Sequence, residues 1–139
     1  MRRVNSVLLG LPMTDSCFDL DGISELVRAI LFRNAVNEKQ MQGALAANFT
    51  ANGIDYQCEV PVEGGVIELV VTLGDGTKAG ILCKTGGVLS ELAQQVSGYC
   101  AEPTLSAILV ATTRLSHRDL PETMGGKPCR SLWCGNSVL

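Results

Sequence analysis

Aromatic side chains are scarce in this sequence. Phe, Trp and Tyr together make up 4% of 139 residues, so the 46% of hydrophobic residues is mostly aliphatic and any interior must be filled by aliphatic chains. Histidine is nearly absent: with His117 alone, no Ser/His/Asp arrangement is credible, and its place between Ser116 and Arg118 reads as a polar surface segment. CxxC pairs are missing among Cys17, Cys58, Cys83, Cys100, Cys129 and Cys134, so these are expected to be reduced thiols of a cytoplasmic protein. A zinc site from Cys129, Cys134 and His117 is a weak alternative to packing. No run approaches the roughly 20 apolar residues of a membrane-spanning helix. The start, Arg2-Arg3 followed by Val7-Leu8-Leu9-Gly10-Leu11, imitates a leader peptide, but Pro12 and Asp15 interrupt it and the expectation is that it is not one. There is no repeat, no low-complexity segment and no excess of positive charge. The 11 Lys and Arg against 14 Asp and Glu give a net charge of −3, which argues against tight, non-specific coating of nucleic acid.

What is present is enough apolar sequence for one folded core, a soluble globular protein by default. Ile23, Leu26, Val27, Ile30 and Leu31 recur at helical spacing and predict an amphipathic helix over 22–34. Asn37 is a good N-cap with Gln40 three residues on, so a second helix carries Met41, Leu45 and Phe49 on one stripe until Gly53. From Tyr56 the period becomes two, predicting an outer strand over 56–62, then a strand over 66–73 that is apolar on both faces except at Glu68. Gly74-Asp75-Gly76-Thr77 reads as a hairpin turn and not as a phosphate-binding loop, because strands lie on both sides of it. A strand over 78–84, a helix over 88–100, a buried strand over 105–113, a polar turn or helix around 116–124 and a last strand over 129–134 complete the order α-α-β-β-β-α-β-(α)-β. That order predicts an α/β fold with a mixed sheet and helices packed on it.

Two charges stand out. Glu68 places a carboxylate inside an apolar strand, which costs several kcal/mol unless it is paired or metal-bound. Lys84 ends the neighbouring strand. A two-residue hairpin loop would send the two charges to opposite faces, and an odd-numbered loop or a bulge would let them converge. An ordinary Glu68–Lys84 salt bridge or a solvated edge is the structural alternative. Beyond them, Glu91, Gln95 and Tyr99 stand at i, i+4 and i+8 on the next helix, starting close to Lys84. Glu38, in the first turn of the second helix, is either a dipole partner or another acid aimed at the same place.

The stretch from Asn37 to Trp133 resembles the PD-(D/E)XK nuclease superfamily, with its restriction-endonuclease-like fold, and particularly the RecB-type members. The resemblance is carried by the helix with Glu38, by Glu59-Val60-Pro61, Val66-Ile67-Glu68-Leu69-Val70-Val71, Gly80-Ile81-Leu82-Cys83-Lys84 and Gln95-Val96-Ser97-Gly98-Tyr99. It implies an α-β-β-β-α-β core over 37–139, with 1–36 as an N-terminal extension and extra helix packed on it. It also implies that Glu68 is the first acidic metal ligand, Lys84 the lysine of the (D/E)xK triplet, Gln95 and Tyr99 the QxxxY pair, and Glu38 the helix glutamate. One position departs: the second acid should stand at 82, where this sequence has Leu82. That leaves Glu68, Glu38 and the Cys83 carbonyl as candidate ligands, with Glu91 as a migrated one. A pseudo-nuclease, a silenced enzyme and a migrated ligand are the competing explanations.

The expected chemistry follows. Mg²⁺ or Mn²⁺ on hard carboxylate oxygens makes a water nucleophilic and offsets charge on the phosphate, and Lys84 adds a compact cation. The resulting expectation is a metal-dependent nuclease acting on DNA in a bacterial or phage-like cytoplasm, weakened or inactive because of Leu82. A non-catalytic DNA-binding or protein-interaction module on the same fold is the alternative. No membrane partner is expected and a homo-oligomer is left open. From Pro103 onward Arg114, Arg118, Lys127 and Arg130 outnumber Asp119 and Glu122, four against two, a local surplus of +2. Arg114, Arg118 and Lys127 are therefore candidate DNA contacts.

Overall fold

In the computed structural model, which describes residues 18–32 and 37–135, helix α1 spans Leu20–Leu31. It begins two residues before the expected start because Asp19 is the cap, its carboxylate accepting from the Gly22 N–H at 2.8 Å. Ile23, Val27 and Leu31 form its buried stripe. Asn37 caps α2 (Glu38–Ala51) by accepting from the Gln40 N–H at 2.8 Å, and Met41, Leu45 and Phe49 are fully buried one turn apart. Gly53, at φ 70, turns the chain out of that helix, as only glycine does without strain. The apolar run at 7–11, Cys17 and most of the 1–36 extension lie outside the described residues.

Strands β1 (Tyr56–Val62), β2 (Gly65–Thr72) and β3 (Lys78–Lys84) form an antiparallel meander. Helix α3 (Leu89–Cys100) then crosses to β4 (Ala107–Thr112), which runs parallel to β3. A 3₁₀ turn (Leu115–Asp119) and the short β5 (Thr123–Met124) lead to β6 (Lys127–Trp133), parallel to β4. The six described strands lie in the order β1-β2-β3-β4-β6-β5, a mixed sheet with helices on both sides, so the expected α/β class holds. β5 was not anticipated: two residues carry no readable period.

The sheet separates two apolar clusters. Leu69, Val71, Ile81, Cys83, Leu109 and Leu132 pack with α1 and α2. Val70, Leu82, Ile108, Val110 and Cys129 pack with Leu92, Val96, Tyr99 and Cys100 of α3. The β1–β2 hairpin changes sides part-way. Its base residues Tyr56, Leu69 and Val71 belong to the first cluster, and its tip residues Val60, Val62 and Ile67 to the second. Strict alternation would keep Ile67 with Leu69. The switch falls at Glu59 and Glu68, which face each other in an otherwise continuous register without forming a bridge, and Glu59 has φ 54. At the tip, Gly65 has φ 142, and a Cβ there would meet the Tyr99 hydroxyl at 3.0 Å, so the hairpin approaches α3 only because glycine is there.

Thr72 pairs with Lys78, which leaves five residues, 73–77, in the β2–β3 loop. The loop is odd-numbered, and it is tied by the Asp75 carboxylate accepting from the Thr77 N–H and hydroxyl. Extended past its last bridge at Leu69–Ile81, this register would set position 68 across from 82, the condition under which the sequence lets Glu68 and Lys84 approach each other, but the hairpin changes sides at Glu68 and the pairing stops short of it.

Candidate functional site

Glu68 occupies the place where two strands part. Bridging between β2 and β3 runs from Thr72–Lys78 only as far as Leu69–Ile81. Just beyond, Glu68 Oε1 accepts from the Cys83 N–H at 3.4 Å, so a side chain stands in for the missing strand partner. Burial pushes the Glu68 carboxyl above its ordinary value of 4.5. The Cys83 N–H and the Lys84 charge pull it down, and the Glu38 charge adds to the rise.

Glu38 comes from the first turn of α2, where the helix N-terminus favours an acid. Its Oε2 accepts from the Thr85 N–H at 3.0 Å, which ties α2 to the chain just after Lys84. Between α2 and the β1–β2 ribbon lies a groove of about 750 Å³ whose lining includes Glu38, Gln42, Cys58, Glu59, Val66 and Glu68. Glu59 was missed by the sequence reading as a site residue in its own right. It reads there as the outward residue of an edge strand, and only the backbone switch turns it toward α2, where Gln42 Nε2 donates to its Oε2 at 2.9 Å.

Lys84 stands at the end of β3, within electrostatic reach of Glu68 but outside the lining of that groove. Among the described residues the ion pair within 4.0 Å is Arg130–Asp21, so the Glu68–Lys84 salt bridge is not formed. The α3 stripe is used differently along its length. Glu91 is exposed in the first turn. Gln95 Nε2 donates to the Tyr99 hydroxyl at 3.3 Å, and Tyr99, only 3% exposed, donates to the Val66 carbonyl at 3.1 Å. These two residues therefore hold the backbone two positions before Glu68. Leu82 is fully buried in the α3-side cluster, within an apolar wall. Cys83 meets Glu68 through its N–H, and its thiol is pushed up to about 12, chiefly by burial.

His117 corrects an expectation. It is fully buried: Nδ1 lies 2.7 Å from Thr112 Oγ1 and Nε2 lies 2.9 Å from the Gly87 carbonyl, because the 3₁₀ turn folds its polar segment inward. The zinc alternative fails with it, since both ring nitrogens are engaged and Cys129 and Cys134 belong to clusters on opposite sides of the sheet. Among the described residues no group of three or more His, Cys, Asp or Glu side chains is placed to enclose a metal ion. Cys58, Cys83, Cys100, Cys129 and Cys134 are free thiols. Of the basic surplus, Arg114 and Arg118 are exposed, Lys127 Nζ donates to the Glu102 carbonyl at 2.7 Å just past the end of α3, and Arg130 pairs with Asp21. Lys127 is thus a clamp in this structure.

No family model, curated protein or solved structure matches this chain. Among the described residues no helix is long and apolar enough to cross a membrane.

The donor set is compatible with one hard divalent cation. Mg²⁺ keeps several of its waters and is commonly held by one or two carboxylates together with substrate phosphate. Glu38 and Glu68 are two half-buried carboxylates on one groove, neither ion-paired, one raised by burial and by the other's charge.

Proposed function

We propose that the protein is a metal-dependent DNA nuclease of the PD-(D/E)XK type, with a restriction-endonuclease-like core, weakened because Leu82 takes the place of the second acid. The observation that carries this reading is that Glu38 and Glu68 line one groove, with Lys84 beyond that lining but within electrostatic reach of Glu68 and not ion-paired. A structural ion pair would have been closed; here the cation remains available to a phosphate. The strand order and the parallel β3–α3–β4 crossover support the same reading.

Glu38 and Glu68 would hold Mg²⁺ or Mn²⁺. When bound, such an ion lowers the pKa of water and offsets negative charge on a phosphodiester. Lys84 offers a compact positive charge to the phosphate as charge builds there. Tyr99 and Gln95, through Val66, fix the strand that presents Glu68. Arg114 and Arg118 are the exposed cations left to meet the DNA backbone. Glu91 is exposed on α3, and no observation draws it toward Glu68.

The test is incubation of supercoiled and linear DNA with Mg²⁺ or Mn²⁺. Slow cleavage is expected, reduced about tenfold or more by Lys84→Ala and by Glu68→Gln, the loss of one charge-stabilising group. Cleavage indifferent to both substitutions overturns the site. The full burial of Leu82 favours a second reading, a DNA-binding module without catalysis. It predicts DNA binding, weakened by Lys84→Ala, in preparations that cleave nothing.

A further inference from the structure

The segment 85–88, between Lys84 and α3, has little packing of its own. A Cβ at Gly86 or Gly87 would meet nothing within 4 Å, and Gly87 has φ 91. At its end the segment is tied to α3 by the Leu92 N–H to the Val88 carbonyl at 3.1 Å; nearer Lys84 it is held by the Thr113 N–H to the Lys84 carbonyl at 3.1 Å, the Thr85 N–H to Glu38 Oε2 at 3.0 Å, and His117 Nε2 to the Gly87 carbonyl at 2.9 Å. A carbonyl only accepts, so the proton of that last bond is on Nε2. Thr112 Oγ1 accepts from the Arg114 N–H at 3.0 Å, which leaves its own proton for Nδ1 at 2.7 Å. The hydroxyl of Thr112 and both ring nitrogens of His117, two fully buried side chains, then each have a partner. Thr112 is also the β4 residue paired with Lys84, so the imidazole is anchored to the strand beside the one it serves.

We infer that His117 is a positioning residue for the carboxylate groove: by holding Gly87 it fixes the glycine loop that presents the Thr85 N–H to Glu38, and so sets where the Glu38 carboxylate stands against Glu68. The last step rests on the reading of Glu38 and Glu68 as ion ligands; the fixing of the loop does not.

Two readouts keep these apart. Amide hydrogen exchange in His117→Ala is expected to quicken about tenfold or more at Thr85, the amide of the 85–88 segment that donates a hydrogen bond, with β4 and β6 amides far less affected. His117→Gln, which keeps a donor near Nε2, restores most of the protection. Calorimetric titration with Mn²⁺ is expected to show affinity about tenfold weaker in His117→Ala and recovered in His117→Gln, in the range typical of an outer partner of a ligand. Should His117→Ala not fold, Thr112→Val removes the hydroxyl that fixes Nδ1 and is expected to loosen 85–88 to a lesser degree. Exchange that rises equally throughout the molecule, or a histidine with its proton on Nδ1 and none on Nε2, overturns the brace. A wild-type chain that binds no Mn²⁺ while 85–88 still responds to His117 overturns the ligand step and leaves the brace standing.

Discussion

Two polar clusters border the glycine loop after Lys84, and they are built on opposite principles. Around His117 each donor meets an acceptor at 2.7 to 3.0 Å, and the imidazole and the Thr112 hydroxyl are fully buried. Around Glu68 the charges are half-buried and unpaired, the one bond to the carboxylate is long, and burial works against ionisation. A closed network stabilises a fold and has nothing left to offer a ligand. An open one costs stability and is retained where a ligand completes it. The glycine loop joins them, with His117 on Gly87 and Glu38 on Thr85.

The comparison is broken most severely by Leu82→Glu. A third carboxylate would then lie in the dry cluster beneath α3 with no partner, and a loss of about 4 kcal/mol is expected from burying an unpaired charge, read as a fall in the urea midpoint. A smaller fall would mean that position 82 reaches the groove. Next comes His117→Ala, which leaves the buried Thr112 hydroxyl without its acceptor and is expected to cost about 1 to 3 kcal/mol in the same assay. Glu68→Gln sharpens the comparison from the other side. Because the folded carboxyl is raised, the native state binds its proton more tightly than the unfolded chain does, so ionisation subtracts stability as pH rises from 4.5 through the folded value. The variant is therefore expected to melt at or above the wild-type temperature at pH 7, with the advantage vanishing below pH 4.5 where both carry a neutral side chain. A wild-type chain that is more stable at pH 7 would show that Glu68 is already paired. The smallest effect concerns the groove wall. Among the described cysteines Cys58 alone is expected to react with a thiol reagent in the native state, because the other four are buried, and burial raises Cys100 and pushes Cys83 and Cys129 up to about 12 and Cys134 to about 11. Peptide mapping that finds Cys58 protected would mean that the groove is covered.

The two helix stripes, the Asn37 cap and the hairpin turn were legible because their signals are local: apolar residues one turn apart, or a side chain bonding three residues on. Glu68 was legible too, as a charge inside an apolar strand. His117 was not, since what buries it is a carbonyl 30 residues away and a hydroxyl on another element. Glu59 was read with its strand and not as a separate groove residue, for a related reason. Period-two alternation assigns a residue to a face only while the strand keeps one twist, and here the hairpin changes sides at that residue. Tyr99 was placed correctly on its helix, but its hydroxyl is directed to the Val66 carbonyl, a contact set by the close approach at Gly65.

The central claim is that the open cluster is completed by a divalent cation on Glu38 and Glu68. Isothermal titration of the wild-type chain with Mg²⁺ and Mn²⁺, beside Glu68→Gln and Glu38→Gln, tests it most directly. The account predicts saturable binding of one ion by the wild type, accompanied by a higher melting temperature, and loss of both effects in each variant. Binding of equal strength in all three proteins, or none in the wild type, would contradict it.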